Sequence, residues 1–294
     1  MQLAFKVDVD TRIGLSEGVP RLLDLLRRYD VRASFFVSFG PDHSGRAIRR
    51  IWRPSFLLKM MRTHPLRLYG LKTLLAGTLL PSAPIGAENP DRLRAIVAAG
   101  HELGIHGYDH VRWQDRLEKM NPAEIEAELR KSVSAYENIF GARPLSTAAP
   151  GWRCTPESLA AQDKLGFSYA SDVRGMRPFF PVHNGRAFKT LQIPTTLPTL
   201  DELIGRAPRV NEVLLASLRE GLNVHTVHAE VEGRPHLSLF EDFLKEIRRR
   251  RVETVLLSEV AAKMAARGAA ALPRMPATKG HLPGRSGWVS CQGE

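Results

Sequence analysis

At 294 residues, 43% of them hydrophobic and 25% charged, the chain can bury the core of one large α/β domain and is too ordinary in balance to be disordered. Two cysteines, Cys154 and Cys291, are too few for a disulfide framework, which favours a reducing compartment. The opening MQLAFKVDVD lacks a secretory pattern, and no run approaches the ~18 apolar residues of a membrane span, so the expectation is a cytoplasmic protein that does not cross a bilayer.

Residues 3–9, LAFKVDV, read as a strand ending in acidic side chains, followed by a helix over 18–29 and a second strand over 31–39. This strand–helix–strand unit with short connections is the mark of a parallel sheet. Further along, 90–99 reads as a helix and HELGIHGY as a strand running into a loop. Residues 121–140 form an amphipathic helix with Asn121 as cap and Pro122 in the first turn. Strands are expected near 145–149, 167–171, 189–193, 223–228 and 252–256, with helices at 156–165, 211–220, 238–250 and from Ser258. Repeated β-α units imply an α/β fold of barrel type. One domain over 1–269 is expected, with 43–88 as a basic helical insertion and 270–294 as a Pro/Gly-rich tail.

The net charge of +11 is unevenly placed. Between Asp42 and Glu88 stand eight basic residues and no acid, and five more lie unopposed between Glu259 and Glu294. Such patches suggest an anionic partner. The stretch 46–80 mixes its arginines and lysines with Trp52, Phe56, Leu57, Met60 and Tyr69, a composition suited to an anionic lipid surface. No nucleic-acid motif accompanies the charge.

The candidate chemistry gathers at the C-terminal ends of predicted strands: Asp8 and Asp10, His106 and His110, Arg153, Asp172 and His228. Loops at that end of a parallel barrel converge on one site. His106 and His110 are four apart, so on a helical turn both imidazoles project to one side. With Asp10 they make a two-histidine, one-carboxylate set that leaves positions open for water and substrate. Asp8 and Asp10 stand where the chain is turning and can reach one pocket, one carboxylate binding metal and the other serving as general base. His228 ends a strand where an imidazole can protonate a leaving amine, whereas His225 falls on the other face. Arg153 and Asp172 read either as partners of a carboxylate and of an imidazole or, equally, as members of ordinary structural ion pairs.

Taken in order, Asp8/Asp10, His106-x-x-x-His110, Pro150-Gly151-Trp152-Arg153, Asp172 and Val227-His228 resemble the motif series of the polysaccharide deacetylases (carbohydrate esterase 4, NodB homology). Further segments, among them SEGVPRLL, LYGLKTLLAGT, QIPTTLPTLDELIGR, VHTVHAEVEG and GRSGWVSCQ, extend the resemblance over residues 5–292 toward members that act on a lipid-linked sugar. The resemblance implies a distorted β/α barrel and one divalent metal ion, zinc first, with manganese, cobalt or nickel as alternatives. It assigns Asp8 as base, Asp10, His106 and His110 as ligands, His228 as acid, Asp172 as the residue orienting that acid, and Arg153 as partner of the base. The implied reaction removes the formyl group from 4-deoxy-4-formamido-L-arabinose on undecaprenyl phosphate, at the inner face of the bacterial inner membrane, for lipid A modification and polymyxin resistance. Two departures stand out: Val9 separates the aspartates, and Arg153 follows the Pro-Gly-Trp instead of leading it.

Two other readings compete. A strand ending in Asp8-Val9-Asp10-Thr11 also fits the nucleophile motif of haloacid-dehalogenase phosphatases, but it lacks their downstream acidic pair and leaves the histidines unexplained. A non-catalytic membrane-surface protein would account for the charge but not for the site.

Overall fold

The computed structural model describes residues 1–46 and 82–294. The expected lipid-facing stretch at 46–80 therefore lies almost wholly outside the described residues.

The central element is β1 (Gln2–Val9), a run of buried apolar residues interrupted only by Lys6 and Asp8. Helix α1 (Val19–Arg28) follows, with Pro20 in its first turn, where the missing N–H costs nothing. It returns the chain to β2 (Ser34–Val37), parallel to β1. The unit repeats through α2 (Pro90–Ala98), β3 (Glu102–Ile105), α3 (His110–Arg116), α4 (Pro122–Phe140), β4 (Ser146–Thr147), α5 (Pro156–Leu165) and β5 (Tyr169–Ala170). Helix α4 begins on a capping box, with reciprocal 3.0 Å hydrogen bonds between Asn121 and Glu124, and ends at Gly141 in the left-handed region.

After an antiparallel pair, β6 (Phe180–His183) and β7 (Arg186–Ala187), come β8 (Leu191–Gln192), α6 (Leu200–Leu203), α7 (Val210–Ala216), β9 (Leu222–His228), α8 (Leu237–Arg249), β10 (Glu253–Thr254) and α9 (Leu257–Ala266). Among the described residues, eight strands form one wholly parallel sheet in the order β10-β1-β2-β3-β4-β5-β8, with β9 also on β1. Between β8 and β9 no strand ladder forms. The Thr196 and Leu197 N–H groups instead donate to the Val224 carbonyl at 3.0 and 3.1 Å. The result is the distorted β/α barrel expected from the sequence.

The two faces of β1 separate the two parts of the core. Leu3, Phe5, Val7 and Val9 point outward against Leu22, Leu25, Leu26, Phe240 and Phe243 of the helices. Ala4 points inward with Phe36, Tyr169 and Val224. Lower in the barrel, the half-buried Glu102 accepts from the Ser34 hydroxyl at 2.6 Å and the Tyr169 hydroxyl at 2.5 Å, so this acid is engaged in structure.

Strands that the sequence did not suggest occur in the tail. Residues β11 (Arg274–Gly280) and β12 (Val289–Gln292) join β6 and β7 in a second, four-stranded sheet. The Arg174 N–H donates to Ser290 and the Gln292 N–H to Arg174, tying β12 to the loop after β5.

Candidate functional site

Period-2 alternation places Lys6 and Asp8 on the inner face of β1, and the chain turns out of the strand at Asp10. Beside it, β3 runs into His106, whose N–H donates to the Val37 carbonyl at 2.9 Å. The loop then reaches Asp109, which caps α3 by accepting the Arg112 N–H at 2.9 Å. That cap sets His110 as the first residue of the helix, aimed back at the strand end. The structure thus brings Asp10, His106 and His110 together. His106 Nε2 lies 3.2 Å from Asp10 Oδ1, and His110 Nε2 lies 3.2 Å from Asp10 Oδ2.

The fit of a cation to this cluster can be judged from its atoms. One ligand atom from each of the three residues falls within 4.8 Å of the others. Asp10 Oδ1 and Asp8 Oδ1 are buried without a hydrogen-bond partner, which is costly unless something positive takes the lone pairs. His106 Nδ1 lies 2.9 Å from the Ala148 carbonyl, to which it donates, leaving the Nε2 lone pair toward Asp10. Burial raises Asp10, but His110 and His106 outweigh it and hold the carboxyl well below its ordinary range. Burial lowers His106, yet the Asp8 and Asp10 charges push it up. A mixed nitrogen and oxygen set of this kind suits zinc and similar divalent ions.

Asp8 has a different partner from the one expected. Its Oδ2 accepts from the Lys6 ammonium at 2.8 Å, both side chains being buried, and it lies 4.0 Å from His106 Nε2. Arg153, expected to pair with Asp8, instead donates to the Gln114 carbonyl and stacks 4.7 Å from the Trp288 ring. Lys6 holds the position because it comes from the same strand face, two residues earlier. The sequence carries that signal as a lysine at an inward position in an otherwise apolar strand.

Asp172 also differs from expectation. It is fully buried at the end of β5, and its Oδ2 accepts the amides of Gln162 at 2.7 Å and Gln192 at 2.9 Å. It therefore braces α5 and β8 instead of orienting His228. Burial pushes its carboxyl upward.

His228 ends β9 directly opposite Asp8 in the strand register. Its imidazole stands edge-on to Trp152, with ring centroids 6.1 Å apart. The turn carrying Trp152 is strained: Gly151 and Trp152 both have left-handed φ, and a Cβ on Gly151 would meet the Gln114 amide at 2.4 Å. That turn swings the indole into the barrel mouth, where its N–H donates to Thr195 Oγ1 at 2.9 Å. Two further acids escaped the sequence reading. Glu232 accepts the His228 N–H at 2.9 Å and is pushed up to about 8 by burial. Glu230, buried near Asp10, is pushed well upward by burial and by that neighbouring charge.

Residues 7–170 match the family model described as polysaccharide deacetylase. The chain belongs to the polysaccharide deacetylase family. A relative from Shewanella sediminis, named "Probable 4-deoxy-4-formamido-L-arabinose-phosphoundecaprenol deformylase ArnD", is 39% identical over 264 residues, covering 88% of this chain and 85% of the relative. A protein of the same name from Wigglesworthia glossinidia brevipalpis is 32% identical over 95% of this chain and 98% of its own length. Among solved structures, a Mycobacterium smegmatis protein assigned as a polysaccharide deacetylase superposes with a TM-score of 0.62 at 19% identity, over 96% of this chain and 94% of that one. A carbohydrate esterase 4 pseudoenzyme from Bacillus anthracis shares the fold too, at TM-score 0.52 and 16% identity over 88% of this chain and 65% of its own. Shared fold alone therefore decides nothing about turnover in this family. Like its deformylase and deacetylase relatives, this polysaccharide deacetylase family member is a hydrolase of amide carbon–nitrogen bonds.

Proposed function

We propose that the chain hydrolyses the formamide of 4-deoxy-4-formamido-L-arabinose carried on undecaprenyl phosphate, giving formate and the 4-amino sugar lipid for lipid A modification and polymyxin resistance. The named relatives suggest the substrate. The observation that carries the chemistry is Asp10 within 3.2 Å of both His106 and His110, with the free Asp8 Oδ1 beside them.

In this reading Asp10, His106 and His110 hold one divalent cation, zinc being the first candidate. Once bound, it supplies Lewis acidity, polarising the formyl oxygen and making water a better nucleophile at neutral pH. Asp8 takes the proton of the attacking water on Oδ1 while Lys6 occupies Oδ2 and holds the carboxylate in place. The water oxygen bonds to the formyl carbon, the carbon–nitrogen bond breaks, and His228 hands a proton to the departing nitrogen. Trp152 walls the pocket on the side of His228. Arg153 and Asp172 act on this chemistry indirectly, by fixing the loops that follow β4 and β5.

The enzyme would work at the inner membrane surface, with 46–80 resting on anionic lipid. No helix among the described residues is long and apolar enough to cross a membrane. The deciding experiment offers the metal-loaded protein a formamido-arabinose phosphoprenol and its acetamido counterpart, and assays formate and acetate. Formate from the first in clear excess is the expected result. Acetate alone, or no acid from either, would overturn the reading.

A further inference from the structure

The hydrolytic site does not use the strap at 281–288, which crosses the barrel mouth between β11 and β12. It is pinned on both sides. The Ser290 hydroxyl exchanges hydrogen bonds with the Cys154 backbone, and the Trp288 indole donates to Glu118 at 2.9 Å. At Gly284, with φ of +86°, the strap passes so close to α6 that a Cβ would lie 2.4 Å from the Glu202 carbonyl oxygen. Only glycine meets both demands, and the next residue is Arg285.

The Arg285 guanidinium stacks on Trp152, 4.4 Å from the ring centroid, while His228 meets the same indole edge-on. Arg174 sits 5.2 Å from this ring as well, but both of its terminal nitrogens are engaged, Nη1 with Glu202 at 2.5 Å and Nη2 with the Leu197 carbonyl at 2.8 Å, and only its Nε is buried without a partner. Arg285 is held more loosely. Its Nη1 is 3.5 Å from Glu202 and 3.9 Å from Asp201, and it is buried without a hydrogen bond. Asp201 is itself engaged by the Thr199 hydroxyl at 2.6 Å. A stacked guanidinium with an unfilled donor suits an anionic oxygen arriving from the pocket.

We propose that Arg285 is a substrate-binding residue that receives the phosphodiester linking the sugar to its lipid. The claim rests on the deformylase reading. When the C4 formamide faces Asp8 and His228, the anomeric phosphate points to the opposite end of the sugar, and Trp152 spans from His228 to Arg285. The guanidinium thereby distinguishes a phospholipid-linked sugar from a neutral glycan, and the acids beside it reject a free, doubly charged phosphate.

The test compares the full-length, metal-loaded wild type with Arg285→Gln and Arg285→Lys on two substrates. One is the formamido sugar joined by a phosphodiester to a short prenyl chain, and the other is its neutral methyl glycoside. Arg285→Gln should raise KM for the phosphodiester on the order of tenfold, leave its kcat within about twofold, and leave the methyl glycoside unaffected. Arg285→Lys should recover most of the loss. An equal effect on both substrates, or none on either, would overturn the proposal. Were wild type to release no formate from either substrate, the deformylase reading would fail on its own. Binding of the prenyl phosphodiester, followed by tryptophan fluorescence without turnover, would still decide Arg285: equal affinity in wild type and Arg285→Gln refutes it.

Discussion

The Lys6 ammonium lies 2.8 Å from the Asp8 carboxylate, two buried charges from one face of one strand. Removing either partner alone leaves an uncompensated charge in the barrel, which costs about 3–5 kcal/mol. Lys6→Met should therefore lower stability by that order and, by loosening the base, lower kcat about 100-fold. The double variant Lys6→Met/Asp8→Asn should regain most of the stability and none of the activity. Urea unfolding paired with formate release checks both halves. A double variant no more stable than Lys6→Met would show that the pair is not what steadies the site.

Metal removal should abolish activity, and added zinc, manganese, cobalt or nickel should restore it. His106→Ala and Asp10→Ala should each lose stoichiometric metal as read by elemental analysis, whereas Asp8→Asn should keep the metal and lose at least about 100-fold in kcat. Full turnover after exhaustive chelation would contradict the assignment of Asp10, His106 and His110.

His101 provides a pH dependence that is independent of the site. Its Nδ1 accepts the Ala33 N–H at 3.0 Å, which requires the neutral ring. Burial, with help from Arg32, lowers it to about 4, against about 6.5 for a free imidazole. The folded state thus binds the proton less readily than the unfolded state. Its contribution is complete above about pH 6.5 and is lost as pH falls toward 4, by up to about 3 kcal/mol. Urea midpoints at pH 7 and 5 should fall less for His101→Asn than for wild type. An equal fall in both would place the acid sensitivity elsewhere.

At Gly18, a Cβ would lie 2.0 Å from the Ala229 carbonyl oxygen, a backbone atom next to His228. Gly18→Ala should displace that segment or unfold the protein, with a loss of at least about 2 kcal/mol in unfolding free energy. A neutral result in thermal melts would mean that the β9 end moves freely.

Much of this was legible in the chain itself. Most strands and helices of the barrel fall close to their predicted ranges, helped in α4 by its caps Asn121 and Gly141, whereas the short α3, β6, β7 and α6 carry too few residues for a periodicity and are not among the predicted elements. That Asp10, His106 and His110 come together was readable because a metal site, were one present, would require these residue types at such spacings. The pairings of Asp8 and Asp172 were not. Gln162 and Gln192 reach Asp172 only once α5 and β8 have packed, and no local pattern announces them. Strand β11 was hidden for another reason. Its run RMPATKG has no alternation, and Pro276 counts against a strand; β11 lies between β12 and β6, and its ladder with β12 begins only at Ala277, one residue past the proline.

The strap at 281–288 is anchored by Trp288 and Ser290, side chains that take no part in the hydrolytic set. It is thus a natural graft site. Exchanging the few residues around Arg285, with Gly284 and the anchors retained, should redirect such a hydrolase toward sugars bearing other leaving-end groups without rebuilding its catalytic centre. Substrate range and bond-breaking chemistry would then be separable traits, carried by different segments of a single chain.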